Sequence, residues 1–157
     1  MDSISNIFRS MIFAFSAGVF FFALAPHATA APFIVGNNYS ELAGRACGAA
    51  AFCDINTFTA VPAGKTLTLN RITCRHELAT AGAVISSLWG GRHPAAISSV
   101  ALVQFLAPIQ SLGNGRHLVN ADVNIVIPAG QKPGVRLTTH ASATTSSVCT
   151  VAGTITP

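Results

Sequence analysis

The stretch Asn56–Cys74, NTFTAVPAGKTLTLNRITC, decides the fold class. It reads as strand, turn, strand. Thr57–Val61 is a β-branched and aromatic run, and Pro62-Ala63-Gly64 is a turn in which proline presets φ and glycine supplies a positive φ. In the second arm Leu67 and Leu69 share one face, with Thr66, Thr68 and Asn70 on the other. Ile72 and Cys74 then fall on the opposite parity. One extra residue restores their inward direction, so the spacing predicts a β-bulge at Asn70-Arg71.

The stretch is echoed by Asn124–Thr138, NIVIPAGQKPGVRLT, with the same Pro-Ala-Gly turn at Pro128-Ala129-Gly130. Before that turn lies the clearest alternation in the chain. Val119, Ala121, Val123, Ile125 and Ile127 form a core face, and Asn120, Asp122 and Asn124 a solvent face. Val135–His140 leads away from the turn, and Val148–Ile155 places Cys149, Val151 and Ile155 on one side.

Between the two echoes, Gly82–Trp89 is read as a strand and Gly90–Pro94 as a loop. Ile97–Ala107, apolar on both parities, is read as a strand central in its sheet or covered on both sides. Leu112-Gly113-Asn114-Gly115 carries the Asn-Gly hairpin signal. Upstream, Ala31–Val35 is a short first strand, and Tyr39–Cys53 is read equally as a helix capped by Ser40, which Gly44 and Gly48 weaken, or as a disulfide-pinned loop with at most a helical turn. Short β-branched runs punctuated by Pro and Gly predict an all-β fold, an antiparallel β-sandwich of jelly-roll or Ig-like type with seven or eight strands.

The N-terminus reads differently. A polar start with Arg9, the apolar run MIFAFSAGVFFFALA, Pro26 and the small residues Ala28-Thr29-Ala30 have the order of a secretory signal peptide. The apolar run is short for a membrane span, which needs about 20 residues. Cleavage is expected after Ala30, giving a leader at residues 1–30 and one domain at 31–157, of which 31–55 is the disulfide-pinned N-terminal segment. No cysteine follows the cut and no twin arginine precedes it, so neither a lipid anchor nor that export route is indicated. The expected location is secreted or periplasmic, with no transmembrane segment in the mature chain.

Four cysteines in an exported chain imply two disulfides. Cys47 and Cys53 share one short segment, and Cys74 and Cys149 both sit inward on strand-like runs, which favours the pairings 47–53 and 74–149. The full chain has 9 Lys and Arg, 5 Asp and Glu, and a net charge of +4; the leader holds one arginine and one aspartate, so its loss leaves that balance unchanged. Mild basicity favours an anionic polysaccharide or another envelope component as partner, while lysines only at 65 and 132 argue against nucleic acid.

The chemistry-bearing residues are few. The mature carboxylates are Glu41, Asp54, Glu77 and Asp122, and nothing in their spacing makes a facing pair. There is no nucleophile elbow, and His76-Glu77 lacks the second histidine of a zinc-protease motif. No cofactor, metal or catalytic residue is assigned, and the expectation is a non-enzymatic binding or structural module. Two features point to binding. The dipeptide Arg-His occurs three times, at Arg75-His76, Arg92-His93 and Arg116-His117, and clustered cations focus field on anions. The first and third are expected at one end of the fold and the second at the other. Trp89, followed by Gly90-Gly91 and Arg92, offers an aromatic face beside a planar donor, suited to a sugar ring. Two other readings stand: a self-assembling, pilus-like surface subunit, which needs an exposed apolar edge strand, and a secreted hydrolase without a familiar motif.

Overall fold

Two-residue alternation, the period of a strand, runs through almost all of the chain that the structure describes, residues 30–94 and 99–157 of a computed structural model. Eight strands form one antiparallel sheet: β1 Phe33–Val35, β2 Asn38–Ile55, β3 Thr66–Leu78, β4 Ile85–His93, β5 Ala101–Phe105, β6 Ile109–Gly113, β7 Arg116–Pro128 and β8 Lys132–Thr156. The leader expected at residues 1–30 lies, but for Ala30, outside the described residues.

β8 is the axis. Along one edge it pairs with β2, from Asn38↔Thr154 to Ile55↔Val135. Its other edge is divided, with residues 145–156 paired to β3 and residues 132–139 to β4. β7 and β6 continue outward from β3, β5 from β4, and β1 flanks β2. The branches face each other on the inner side. A Cβ built on Gly90 would lie 2.8 Å from Ile72 Cδ1 and 2.9 Å from Ile125 Cδ1, so β4 rests on the β3–β7 pair at a distance that only glycine permits. Gln104 spans the gap left between β5 and β7: its Nε2 donates to Asp122 O at 3.3 Å and its Oε1 accepts from Asn124 N at 3.0 Å. Those are the two backbone groups that a parallel neighbouring strand would engage.

The opening stretch behaves as its parity requires in its second half. Both the β3–β7 and β3–β8 registers shift between Leu69 and Arg71, and Leu67, Leu69, Ile72 and Cys74 are all buried. Cys74 and Cys149 are direct cross-strand partners, and both disulfides, Cys47–Cys53 and Cys74–Cys149, are formed. The inner residues of β7, Val119 to Ile127 on odd numbers, are buried, and Asn120, Asp122 and Asn124 are exposed. The two Pro-Ala-Gly turns are of one form and lie side by side. Lys65 N donates to Pro62 O and Gln131 N to Pro128 O, with φ of 72° at Gly64 and 77° at Gly130. Val61 then exchanges backbone bonds with Gly130 and Gln131.

Five readings need correction. Thr57–Val61 is not a strand: Phe58 and Val61 are buried, but Thr59 N and Oγ1 bond the Glu41 carboxylate at 2.8 and 2.7 Å, so a side chain replaces the ladder. Tyr39–Cys53 is neither a helix nor a loop but the body of β2, where Tyr39, Glu41 and Ala43 alternate inward and the Cys47–Cys53 bridge closes the irregular part of its register. Gly90–His93 is strand, because its two glycines serve close packing instead of turning the chain. Ile97–Ala107 shrinks to β5, an edge strand whose Leu102, Val103 and Phe105 are exposed, and residues 95–98 lie outside the described residues. The two C-terminal runs are one 25-residue strand, which changes partner from β4 to β3 beyond Thr139, and Thr139 Oγ1 donates to Ala141 O at 2.7 Å. The Asn-Gly turn is present, with φ of 50° at Asn114 and 72° at Gly115, and it joins β7 to a strand, β6, that the sequence reading left out.

Candidate functional site

Directly opposed residues in a sheet project to the same side, and one such row crosses four strands. Phe105 pairs with Trp89, Trp89 with Arg136, and Arg136 with Asp54. The row turns away from the core, since Leu88, Gly90, Val135 and Leu137 beside it are buried. Trp89 meets Phe105 edge to face at 5.4 Å between centroids. Arg136 Cζ lies 4.9 Å from the ring centre of Phe52, which is 55% exposed. Three strand gaps give the row a span of about 14 Å.

Its polar centre is built rigidly. Arg136 Nε and Nη2 donate to Asp54 Oδ1 and Oδ2, both at 2.6 Å. Asp54 is 7% exposed, and its Oδ2 also accepts from Val100 N at 3.3 Å. Val100 in turn is seated on two facing glycines, Gly91 and Gly134: a Cβ on Gly91 would fall 2.1 Å from Ala101 O, and one on Gly134 2.8 Å from Val100 Cγ2. The bonds to Asp54 hold the Arg136 guanidinium above its ordinary pKa. A bidentate pair also fixes the guanidinium plane. The face therefore offers aromatic surface around a fixed planar donor whose charge is already balanced.

Of the residues singled out in the sequence, Trp89 lies on this row. Arg92 is on the opposite parity of β4. His93 shares Trp89's parity, but it sits at the strand's far end opposite Lys132. Phe52, Phe105, Asp54 and Arg136 escaped the sequence reading. Phe52 falls between paired cysteines in a segment read as helix or loop, Phe105 in a run read as central, and Arg136 joins the row only through strand register.

The other two Arg-His units meet on neighbouring strands. His76 pairs with His117, Arg75 with Leu118, and Glu77 with Arg116. His76 points into the core and is fully buried, with Nδ1 2.8 Å from Ser147 Oγ and Nε2 without a protein partner. Burial, with a smaller contribution from His117, pushes its pKa down to about 4; burial also lowers His117. Arg75 is engaged by Glu77 at 2.7 Å and Arg71 by Asp122 at 3.0 Å. Arg116 lines a shallow groove of about 440 Å³ with Glu77, Leu78, Asn114 and Thr145. Arg92-His93 lies beside the start of β8, at the other end. The sulfurs of Cys74 and Cys149 and a ring nitrogen of His76 lie within 4.8 Å of one another.

No known protein family matches the chain, and no curated protein is significantly similar to it.

Proposed function

We propose that the protein is an exported, non-catalytic binding module, a β-sandwich of jelly-roll or Ig-like type that holds carbohydrate on the outer face of β5, β4, β8 and β2. The observation that carries this reading is the row Phe105–Trp89–Arg136 with Phe52 at its end. Aromatic faces stack on the apolar face of a pyranose, and a fixed guanidinium donates to its hydroxyls. Because Asp54 balances Arg136, recognition rests on stacking and hydrogen bonding more than on charge. The facing of β4 onto β3 and β7 supports the sandwich.

Non-catalytic use agrees with how the described carboxylates are employed. Glu41 takes bonds from Tyr39 and Thr59, Asp54 from Arg136, Glu77 from Arg75 and Asp122 from Arg71. Glu41, Asp54 and Asp122 thereby tie separate strands or segments together, and Glu77 is engaged within its own strand. Export agrees with two disulfides; among the described residues no helix is long and apolar enough to cross a membrane. Mass spectrometry of the protein recovered from outside the cytoplasm is expected to show a chain beginning at Ala31.

A glycan array followed by affinity electrophoresis tests the binding face. Retention on a glycan is expected to fall at least tenfold in Trp89→Ala and to be unchanged in Arg92→Ala. Retention that survives Trp89→Ala and Phe52→Ala together removes the site. A second reading is favoured by one observation: β1 lies at the sheet edge with Phe33, Ile34 and Val35 all exposed, Phe33 at 70%. An uncharged apolar edge is a template for strand addition. A pilus-like subunit would show concentration-dependent assembly in size-exclusion chromatography, abolished by Ile34→Lys.

A further inference from the structure

The cluster beneath the sheet has a chemistry that the outer face does not use. Cys74, His76, Ser147 and Cys149 lie on two strands in uninterrupted register, Cys74↔Cys149 and His76↔Ser147, and all four are buried. With Nδ1–H donating to Ser147 Oγ, His76 Nε2 carries a lone pair that meets no protein donor. A buried acceptor left in that state is unfavourable, and the ring that carries it has a nitrogen within 4.8 Å of both sulfurs. Histidines that ligate metals are held in this manner, one ring nitrogen on the ion and the other bonded to a neighbour that fixes the ring.

We propose that the reduced chain binds one divalent, thiophilic metal ion of the zinc type through Cys74 Sγ, Cys149 Sγ and His76 Nε2, and that disulfide formation later takes the ion's place. Charge selects the ion. Two thiolates cancel a divalent cation, leaving a neutral centre among Ile72, Val119 and Val151, whereas a monovalent ion would leave a buried negative charge. His117 lies opposite His76 on β7, outside the group formed by the two sulfurs and the His76 ring. On β3, Arg71 is paired with Asp122 and Arg75 with Glu77, and Arg116 of β7 is exposed.

The steps balance. Binding releases the two thiol protons. On oxidation one thiolate attacks a sulfur of a disulfide oxidant, the second thiolate resolves the mixed disulfide, and the oxidant leaves as two thiolates carrying the two electrons. The ion departs with its charge unchanged. The oxidised protein then keeps the same two strands stapled at the same point.

The test refolds the fully reduced chain under anaerobic conditions with Co²⁺. One equivalent is expected to bind, with thiolate-to-cobalt charge-transfer absorption, tetrahedral visible bands and recovery of β-type circular dichroism. The other thiol pair is removed in Cys47→Ser/Cys53→Ser, which is expected to keep the full spectrum. Cys74→Ser/Cys149→Ser is expected to lose it, His76→Ala to weaken binding at least tenfold, and Ser147→Ala about tenfold. Adding oxidised glutathione is expected to release the cobalt as the disulfide forms. A spectrum equally strong in His76→Ala or in Cys74→Ser/Cys149→Ser, or one arising without recovery of β structure, overturns the proposal.

Discussion

The two branches that leave β8 are built on different rules. On the β3–β7 side the inner positions are filled by Leu67, Leu69, Ile72, Val119, Ile125 and Ile127, all fully buried. Large side chains face one another there, and a disulfide crosses between neighbouring strands. On the β4–β5 side the inner contact is made by Gly90, and Gly91 with Gly134 forms the seat of Val100. Gly91 and Gly134 lie on the same side as Trp89 and Arg136, while on the inner side Gly90 sits among the buried Leu88 and Leu106. One branch gains stability by filling space, the other by removing atoms so that backbone and neighbours come close. The first is the scaffold of the fold and the second carries the candidate face.

The contrast is broken most severely at the disulfides. Cys74–Cys149 closes 75 residues inside the scaffold branch and Cys47–Cys53 closes 6. By loop entropy the replacement Cys74→Ser/Cys149→Ser is expected to cost roughly 4 kcal/mol and Cys47→Ser/Cys53→Ser about 2 kcal/mol. Urea midpoints measure both, and equal losses would mean that the long loop closed inside the scaffold branch gives it no special dependence on its bridge.

His76 sharpens it next. Its folded pKa of about 4 lies below the ordinary 6.5, so the unfolded chain takes up the proton first as pH falls. The stabilisation from keeping this ring neutral is complete above pH 6.5. It is lost progressively between pH 6.5 and 4, by roughly 3 kcal/mol. Denaturation curves across that window are expected to show the slope, and His76→Leu to flatten it.

Gly91→Ala probes the other branch. Its Cβ would meet Ala101 O, a backbone atom that cannot swing aside, so a loss of about 2 kcal/mol is expected. The loss should be accompanied by a change in Trp89 fluorescence, because the strand carrying Phe105 must move. A silent Gly91→Ala would mean that β5 is not held by that seat. The smallest effect on stability is expected from Trp89→Ala, about 1 kcal/mol or less for a side chain partly in solvent. A large loss there would make Trp89 a core residue and not a presented one.

The scaffold branch was legible because strict alternation leaves one solution. The parity break after Leu69 has no cheaper remedy than a bulge, and the inward cysteines must then meet. The β4–β5 branch was not, for a reason visible in the same residues. Gly90-Gly91 announces a loop in any local reading, and its actual role depends on Ile72, Ile125 and Ala101, residues distant along the chain. β2 was hidden likewise, since Tyr39–Cys53 has small residues and two glycines whose strand state is imposed by pairing with β8. Of the candidate face, Trp89 was found by its neighbours, while Arg136 needed the register with Asp54 and Trp89, which no local pattern contains.

Gln104 carries a consequence for motion. Where β5 approaches β7, the link is one neutral side-chain amide instead of a ladder, and bonds of that kind contribute about 1 kcal/mol each. Beyond the packing of Gly90 on Ile72 and Ile125, the seam between β5 and β7 can thus open at its outer edge without parting any pair of strands. In hydrogen exchange the Asn124 amide is expected to trade its proton far sooner than Ile125 beside it. The candidate face is thus joined to the β3–β7 side by core packing within and, at its outer edge, by the amide of a single residue.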